Sequence, residues 1–167
     1  MRTLFRHSLL CLCFAVSVPS MATAQVANTF MLIPGIQGSS VDDRHKDWID
    51  VVSLVQTFAV AGKKGNSCDV IVTKPLDIAG PKLWLAAVTH QVFSEIRIES
   101  VKAGGERQRF YEIRLTNARV DAITTSAAGG PYYESVTLTS DSATLSFFPQ
   151  NADGSIGSPV TAAIPCS

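Results

Sequence analysis

The chain has 167 residues, 46% of them hydrophobic and 17% charged, with 14 Lys and Arg against 14 Asp and Glu. At that size a globular fold buries roughly 70% of the surface of its unfolded chain, enough for one core without a metal cluster or a dense disulfide framework, and the composition excludes collagen, coiled coil and extended disorder. A formal charge of zero provides no global basic field, so neither nucleic acid nor an anionic membrane surface is expected as a partner.

Arg2 and Arg6 open the chain, residues 9–18 form an apolar run, and Ala22-Thr23-Ala24 follows. That order reads as a secretory signal peptide over residues 1–24, cleaved after Ala24. A membrane anchor competes with this reading, but the run has about half of the roughly 20 residues that a spanning helix needs. Cys11 and Cys13 lie inside the run, which argues against a lipid anchor on either. Cleavage removes two arginines and no acid, so the expected mature chain carries a net charge of −2 and is secreted or periplasmic. It keeps two cysteines, Cys68 and Cys166, an even pair in an oxidising compartment that reads as a disulfide; two buried free thiols are the alternative. No CxxC or Cys/His spacing suggests zinc, and no cofactor is expected.

Along the mature chain, residues 29–36 read as a short apolar strand, ended by Pro34-Gly35 and the Gly38-Ser39-Ser40 turn. After the polar residues 41–47, residues 48–60 are mostly apolar on both faces, the pattern of a strand covered on both sides. Residues 61–67, AGKKGNS, read as a polar loop and residues 68–73 as another strand. Residues 81–90 are the one helical candidate: Pro81 suits a first turn, and Leu83, Trp84, Ala87 and Val88 recur at helical spacing. Residues 94–101 alternate, Ile96 and Ile98 inward against Glu95, Arg97 and Glu99 outward. Ala103-Gly104-Gly105-Glu106 then turns the chain into residues 107–115, an antiparallel hairpin. Residues 117–126 and 135–148 read as further strands, and a tail rich in Pro, Gly, Ser and Ala closes the chain. The expected class is mainly β, a barrel or sandwich with one helix. With no linker and no repeat, one domain spans residues 25–154, and residues 155–167 form a tail held only if Cys166 is tethered.

The densest polar cluster, Asp42-Asp43-Arg44-His45-Lys46-Asp47, holds ligand types for a divalent cation but lacks the EF-hand spacing, and its two basic side chains cancel the field of the acids. It reads as a solvated turn with local salt bridges. His45 and His90 are the mature chain's two histidines, and no GxSxG or comparable nucleophile motif accompanies them, so both read as structural. Gly35-x-x-Gly38 lacks the Lys-Ser/Thr pair of a phosphate loop. Glu95, Arg97 and Glu99 form a solvated or subunit-facing charge row, and nothing in the residues argues for an enzyme.

The run FMLIPGIQGSSVDDRHKDWIDVVS, residues 30–53, resembles the opening signature of the haemolysin-coregulated protein (Hcp) family, the tube subunit of bacterial type VI secretion. Thr73-Lys74-Pro75-Leu76-Asp77, Val101-Lys102-Ala103-Gly104-Gly105-Glu106 and Phe148-Pro149-Gln150-Asn151-Ala152-Asp153-Gly154 extend the resemblance in order. The resemblance implies a small antiparallel β-barrel of two sheets with one flanking helix, assembled with copies of itself into stacked hexameric rings that carry effector proteins. It also makes residues 42–47 a structural turn and assigns Gly62, Lys63, Lys64, Gly65 and Asn66 to a ring-stacking loop. Two features depart from the family pattern: the signal peptide, since tube subunits assemble in the cytoplasm, and the Cys68/Cys166 pair. The alternative function is an exported stand-alone binding module of the same fold that no longer builds a tube.

Overall fold

The protein is described by a computed structural model covering residues 27–60, 66–103, 107–127 and 129–166. Among these residues, alternating buried and exposed side chains build nine strands around one helix. In chain order they are β1 (Ala27–Leu32), β2 (Ile49–Val51), β3 (Ser53–Val60), β4 (Asn66–Pro75), α1 (Gly80–Val88), β5 (Val92–Lys102), β6 (Arg109–Ala127), β7 (Tyr132–Thr139), β8 (Ser142–Phe147) and β9 (Val160–Pro165). All strand pairings are antiparallel. The expected class holds: mainly β, antiparallel, with one helix.

The expected division into two sheets takes another form, one hydrogen-bonded system in the order β2-β1-β5-β6-β7-β4-β3, with β8 and β9 added beside β6. β6 makes this possible. One of its sides pairs with β5; the other pairs with β8 from Tyr111 to Thr116 and with β7 from Arg119 onward. Between those stretches Asn117 takes φ 50°, a left-handed conformation that asparagine tolerates better than most residues, and its amide donates to the Asp141 carboxylate at 3.1 Å. β2 and β3, the two ends of the strand order, are separated by Val52 alone, whose N–H donates to the Thr73 carbonyl at 2.8 Å. The chain itself, rather than a strand pairing, therefore brings the sheet back round.

Val52 also explains why residues 48–60 are not covered on both faces. Ile49 and Val51 are buried, but Val52 and Ser53 are exposed in succession, and beyond them Ser53, Val55, Thr57 and Ala59 face outward while Leu54 and Phe58 are half-buried. The in/out phase slips by one residue at the join. Two further expectations are corrected. Residues 135–148 are not one strand but β7 and β8 around a turn at Ser140 and Asp141, and the tail contains β9. In α1 the buried positions are Gly80, Leu83 and Ala86, so Trp84 and Val88 face outward instead of into the core.

Met31, Ile33, Ile49, Val70, Val72, Leu83, Ile96, Ile98, Ile113, Leu115, Val136 and Leu138 form the centre of the core, each no more than 1% exposed. Lys74 is buried among them, its ammonium held by Glu134 at 2.7 Å, Asp77 at 2.6 Å and the Pro75 carbonyl at 2.7 Å. The Glu134 carboxylate lies beneath the start of α1, where a Cβ on Gly80 would meet it at 2.9 Å, and where helix N–H dipoles favour negative charge. Removing one partner of such a cluster leaves uncompensated buried charge. Lys74→Met is therefore expected to lower the unfolding free energy by about 3–5 kcal/mol in urea titration. Pairing it with Glu134→Leu should recover much of that loss, and a double variant no more stable than the single one would contradict the account.

Candidate functional site

The site is built on the loop between β1 and β2. Gly35 takes φ 80°, and Gly38 passes so close to Trp48 that a Cβ there would lie 2.2 Å from its carbonyl oxygen. This is what Gly35-x-x-Gly38 is for: Gly38 N–H donates to Asp47 O at 2.8 Å and Ser40 N–H to Trp48 O at 3.0 Å, closing the loop into a small hairpin. Inside it the Asp42 carboxylate accepts the N–H groups of Arg44 at 3.0 Å and His45 at 3.2 Å.

Asp43, Arg44, Lys46 and Asp47 are exposed, as a solvated turn predicts, but one member of the motif is not. His45 is 4% exposed. Its ring stacks on Phe30 of β1 at 4.2 Å and meets the Trp48 ring edge-on at 4.9 Å. Nδ1 lies 3.0 Å from Asp42 Oδ1, and Nε2 lies 3.2 Å from Glu99 Oε2 of β5, 54 residues away. With a carboxylate on each ring nitrogen, His45 has neither nitrogen free to serve a nucleophile. His90 is equally structural: at φ 51° it follows the end of α1, its N–H bonding to Ala87 O and that of Gln91 to Ala86 O, the paired bonds that close a helix C-terminus.

From His45 an ion-pair lattice runs across the outer face of β5 and β6. The strand register sets like charges directly opposite, Arg97 to Arg114 and Glu99 to Glu112, an arrangement that is unfavourable on its own. It is relieved along the strands and along the diagonals: Arg97 meets Glu95 at 3.0 Å, Arg114 meets Glu112 at 2.7 Å and Glu95 at 3.7 Å, and Arg109 reaches Glu99 at 2.9 Å and also Glu112. Arg107 closes the far end on Asp42. The four arginines and four acids balance within the chain, so the row of Glu95, Arg97 and Glu99 is internally neutralised.

Of the residues assigned to a stacking loop, Gly62, Lys63, Lys64 and Gly65 lie outside the described residues. Asn66 opens β4, where its side-chain amide donates to the Pro165 carbonyl at 3.1 Å. Cys68 and Cys166 are bonded, their Cα atoms 5.5 Å apart across 98 residues of sequence. Sequence reasoning missed the contacts of Glu99 and Arg107 with the motif, and the bridge that Arg109 makes from Glu99 to Glu112. The alternating charges of the hairpin were a visible signal, but which charge meets which depends on a register that becomes readable only with the strands in place.

Two carboxylates of the lattice are held below the ordinary carboxylate range. Burial works against this at both. At Asp42 the His45 hydrogen bond, the Arg44 N–H and the Arg107 charge outweigh it, and at Glu112 the Arg114 hydrogen bond and the charges of Arg109 and Arg114 do so. The folded state thus binds fewer protons than the unfolded chain in acid. The stability these groups contribute is complete above the unfolded value of about 4 and is lost as pH falls through their lowered folded values. Urea midpoints measured from pH 7 to pH 3 should fall on the acid side. His45→Ala should cost about 2 kcal/mol or more at pH 7 and make the acid limb shallower; an unchanged limb would remove His45 from the account.

Residues 30–147 match the family described as type VI secretion system effector, Hcp. Protein hcp1 of Pseudomonas aeruginosa is 30% identical over 138 residues, covering 75% of this chain and 85% of that protein. Among solved structures, a type six secretion system protein at 26% identity superposes with a TM-score of 0.73 over 83% of this chain and 93% of its own. Hcp1 from Salmonella typhimurium, at 21% identity and a TM-score of 0.71, shares the fold over 83% of this chain and 94% of its own. The family match ends at Phe147, the last residue of β8, so β9 and Cys166 lie beyond it. With the match running from within β1 to the end of β8, the chain belongs to the Hcp family of type VI secretion proteins.

Proposed function

We propose that the mature chain is a non-enzymatic structural subunit that closes with copies of itself into a six-membered ring, that the rings stack into a hollow tube, and that effector proteins travel with it. The observation that carries this reading is the unbroken family match across β1 to β8. A closed ring needs two different complementary faces on each subunit. The charge lattice is balanced internally, and exposed ion pairs contribute only about 0–1 kcal/mol each, so the seam has to be largely apolar. Suitable side chains crowd around the helix: Leu76, Ile78, Trp84, Leu85 and Val88 are between 42% and 69% exposed. Val52 and Val55, at 58% and 51%, offer a second patch on the outer side of the β2–β3 join. Gly62, Lys63, Lys64, Gly65 and Asn66 form, in this reading, the segment that meets the next ring.

The subunit is further proposed to be exported by cleavage after Ala24 and to act outside the cytoplasm, with residues 25–154 as the folded domain. Export also favours a second reading, a stand-alone module that kept the fold and lost the tube, because the leader and the Cys68–Cys166 bond both fit an oxidising compartment. Electron microscopy of the purified mature protein separates the two readings: six-fold rings are expected, and single chains at micromolar concentration would leave the module. Leu85→Glu should abolish rings while leaving near-ultraviolet circular dichroism unchanged; rings that persist in that variant would move the seam away from the helix. N-terminal sequencing of the cell-free fraction should begin at Gln25, and a bulk product beginning at Met1 would overturn export.

A further inference from the structure

β9 is held in an unusual way. It pairs with β8 from Ser142↔Pro165 to Phe147↔Val160, and among the described residues no strand lies on its other side. Successive strand residues point to opposite faces, yet Val160, Thr161, Ala162 and Ala163 are all exposed, so the described residues cover neither face over that stretch. Beyond the ladder, the Thr161 and Ser146 hydroxyls share a hydrogen bond at 3.1 Å and Ile164 packs partly against the core; the remaining attachments gather at Pro165, the strand's last residue, and at Cys166 just after it. Asn66 donates to the Pro165 carbonyl at 3.1 Å, Cys166 N–H donates to Asp141 O at 2.8 Å, and Cys166 is bonded to Cys68 of β4. A strand with a one-sided ladder and little buried surface depends heavily on such an end anchor.

We propose that the Cys68–Cys166 bond is a redox latch on the C-terminal strand, and that with the latch open the β8 edge accepts the same strand from a second copy of this chain. Both cysteines are nearly buried, at 4% and 6% exposure, but a cavity of about 240 Å³ between β4 and the β7–β8 turn is lined by both of them together with Asn66, Asp69, Ser140 and Asp141. A dithiol entering there would open the bond in two steps. Its thiolate attacks one sulfur to give a mixed disulfide, and its second sulfur then displaces the protein thiol. The dithiol leaves as a disulfide, two electrons poorer, and the two hydrogens it gives up end on Cys68 and Cys166.

The occupant follows from three features. Opening the latch and lifting β9 leaves the main-chain groups of Ser142–Phe147 unpaired along one side, a template for another extended strand. Neither residues 142–147 nor residues 155–167 carry a charged side chain, so the incoming strand meets the β8 edge without like-charge repulsion. The connection at residues 148–159 contains Pro149, Gly154, Gly157 and Pro159, and its 12 residues can span up to about 40 Å, long enough to deliver β9 to a neighbour. Exchange of an identical element reproduces a register that already fits, a low-cost route to association.

The test uses the full mature chain. Reduction with dithiothreitol, or the double variant Cys68→Ser with Cys166→Ser, is expected to speed amide hydrogen exchange in residues 160–166 at least tenfold while Ile96, Ile98 and Ile113 keep their protection. Equal protection of residues 160–166 in the oxidised and reduced proteins would overturn the latch. For the exchange, the Cys68→Ser and Cys166→Ser single variants are mixed and oxidised, so that a Cys68–Cys166 bond can form only between chains. A covalent heterodimer with that linkage in mass spectrometry is expected; unlinked chains, or homodimers alone, would overturn strand exchange. Ring formation is read separately by microscopy, so rings without the heterodimer would sink this inference and leave the proposed function standing.

Discussion

His45 is the point on which the outer face of the molecule depends. Its ring stacks on Phe30 and meets the Trp48 ring edge-on, and its two nitrogens meet carboxylates from the β1–β2 loop and from β5. Those contacts tie a loop that would otherwise be a polar excursion to the central hairpin of the sheet. They also fix the end of a lattice in which every acid has a basic neighbour. Take the imidazole away and Asp42 and Glu99 remain at low exposure with a partner missing, a costlier state than never having placed charge there.

A second constraint is topological. One strand, β6, serves both parts of the sheet because Asn117 bends it at the place where its partner changes from β8 to β7. Asp141 gathers the consequences: its carboxylate takes the Asn117 amide, its N–H donates to Thr116 O, and its carbonyl receives the N–H of Cys166. The bend in β6, the β7–β8 turn and the end of the chain are thereby fixed together. Closing a loop of 98 residues through Cys68 and Cys166 adds roughly 2–5 kcal/mol on the chain-entropy account, and does so at this junction.

Local patterns in the sequence carried much of this fold. The alternation of Ile96 and Ile98 with Glu95, Arg97 and Glu99 predicts β5 and its faces correctly, and Pro81 with the aliphatic spacing beyond it predicts α1. Where prediction failed, a local rule met a non-local fact. Trp84 and Val88 fit a buried stripe by spacing, but a helix of 9 residues lying on one sheet buries only the side carrying Leu83 and Ala86. Thr139-Ser140-Asp141-Ser142 is turn chemistry set between two stretches of strand-like alternation, and β9 lies in a segment whose composition resembles a loop. The His45 to Glu99 contact was beyond reach, since it requires the loop and the hairpin to be docked first. The family resemblance reached further than periodicity because it draws on several ordered motifs at once.

In the proposed function the subunit assembles by sixes, loses its leader after Ala24 and keeps a disulfide within each chain. Native mass spectrometry of the protein recovered from outside the cytoplasm reads all three in a single spectrum. The account predicts an assembly of six chains, each beginning at Gln25 and each two hydrogen atoms lighter than its fully reduced sequence. A spectrum of single chains that retain residues 1–24 and carry both thiols reduced would contradict it.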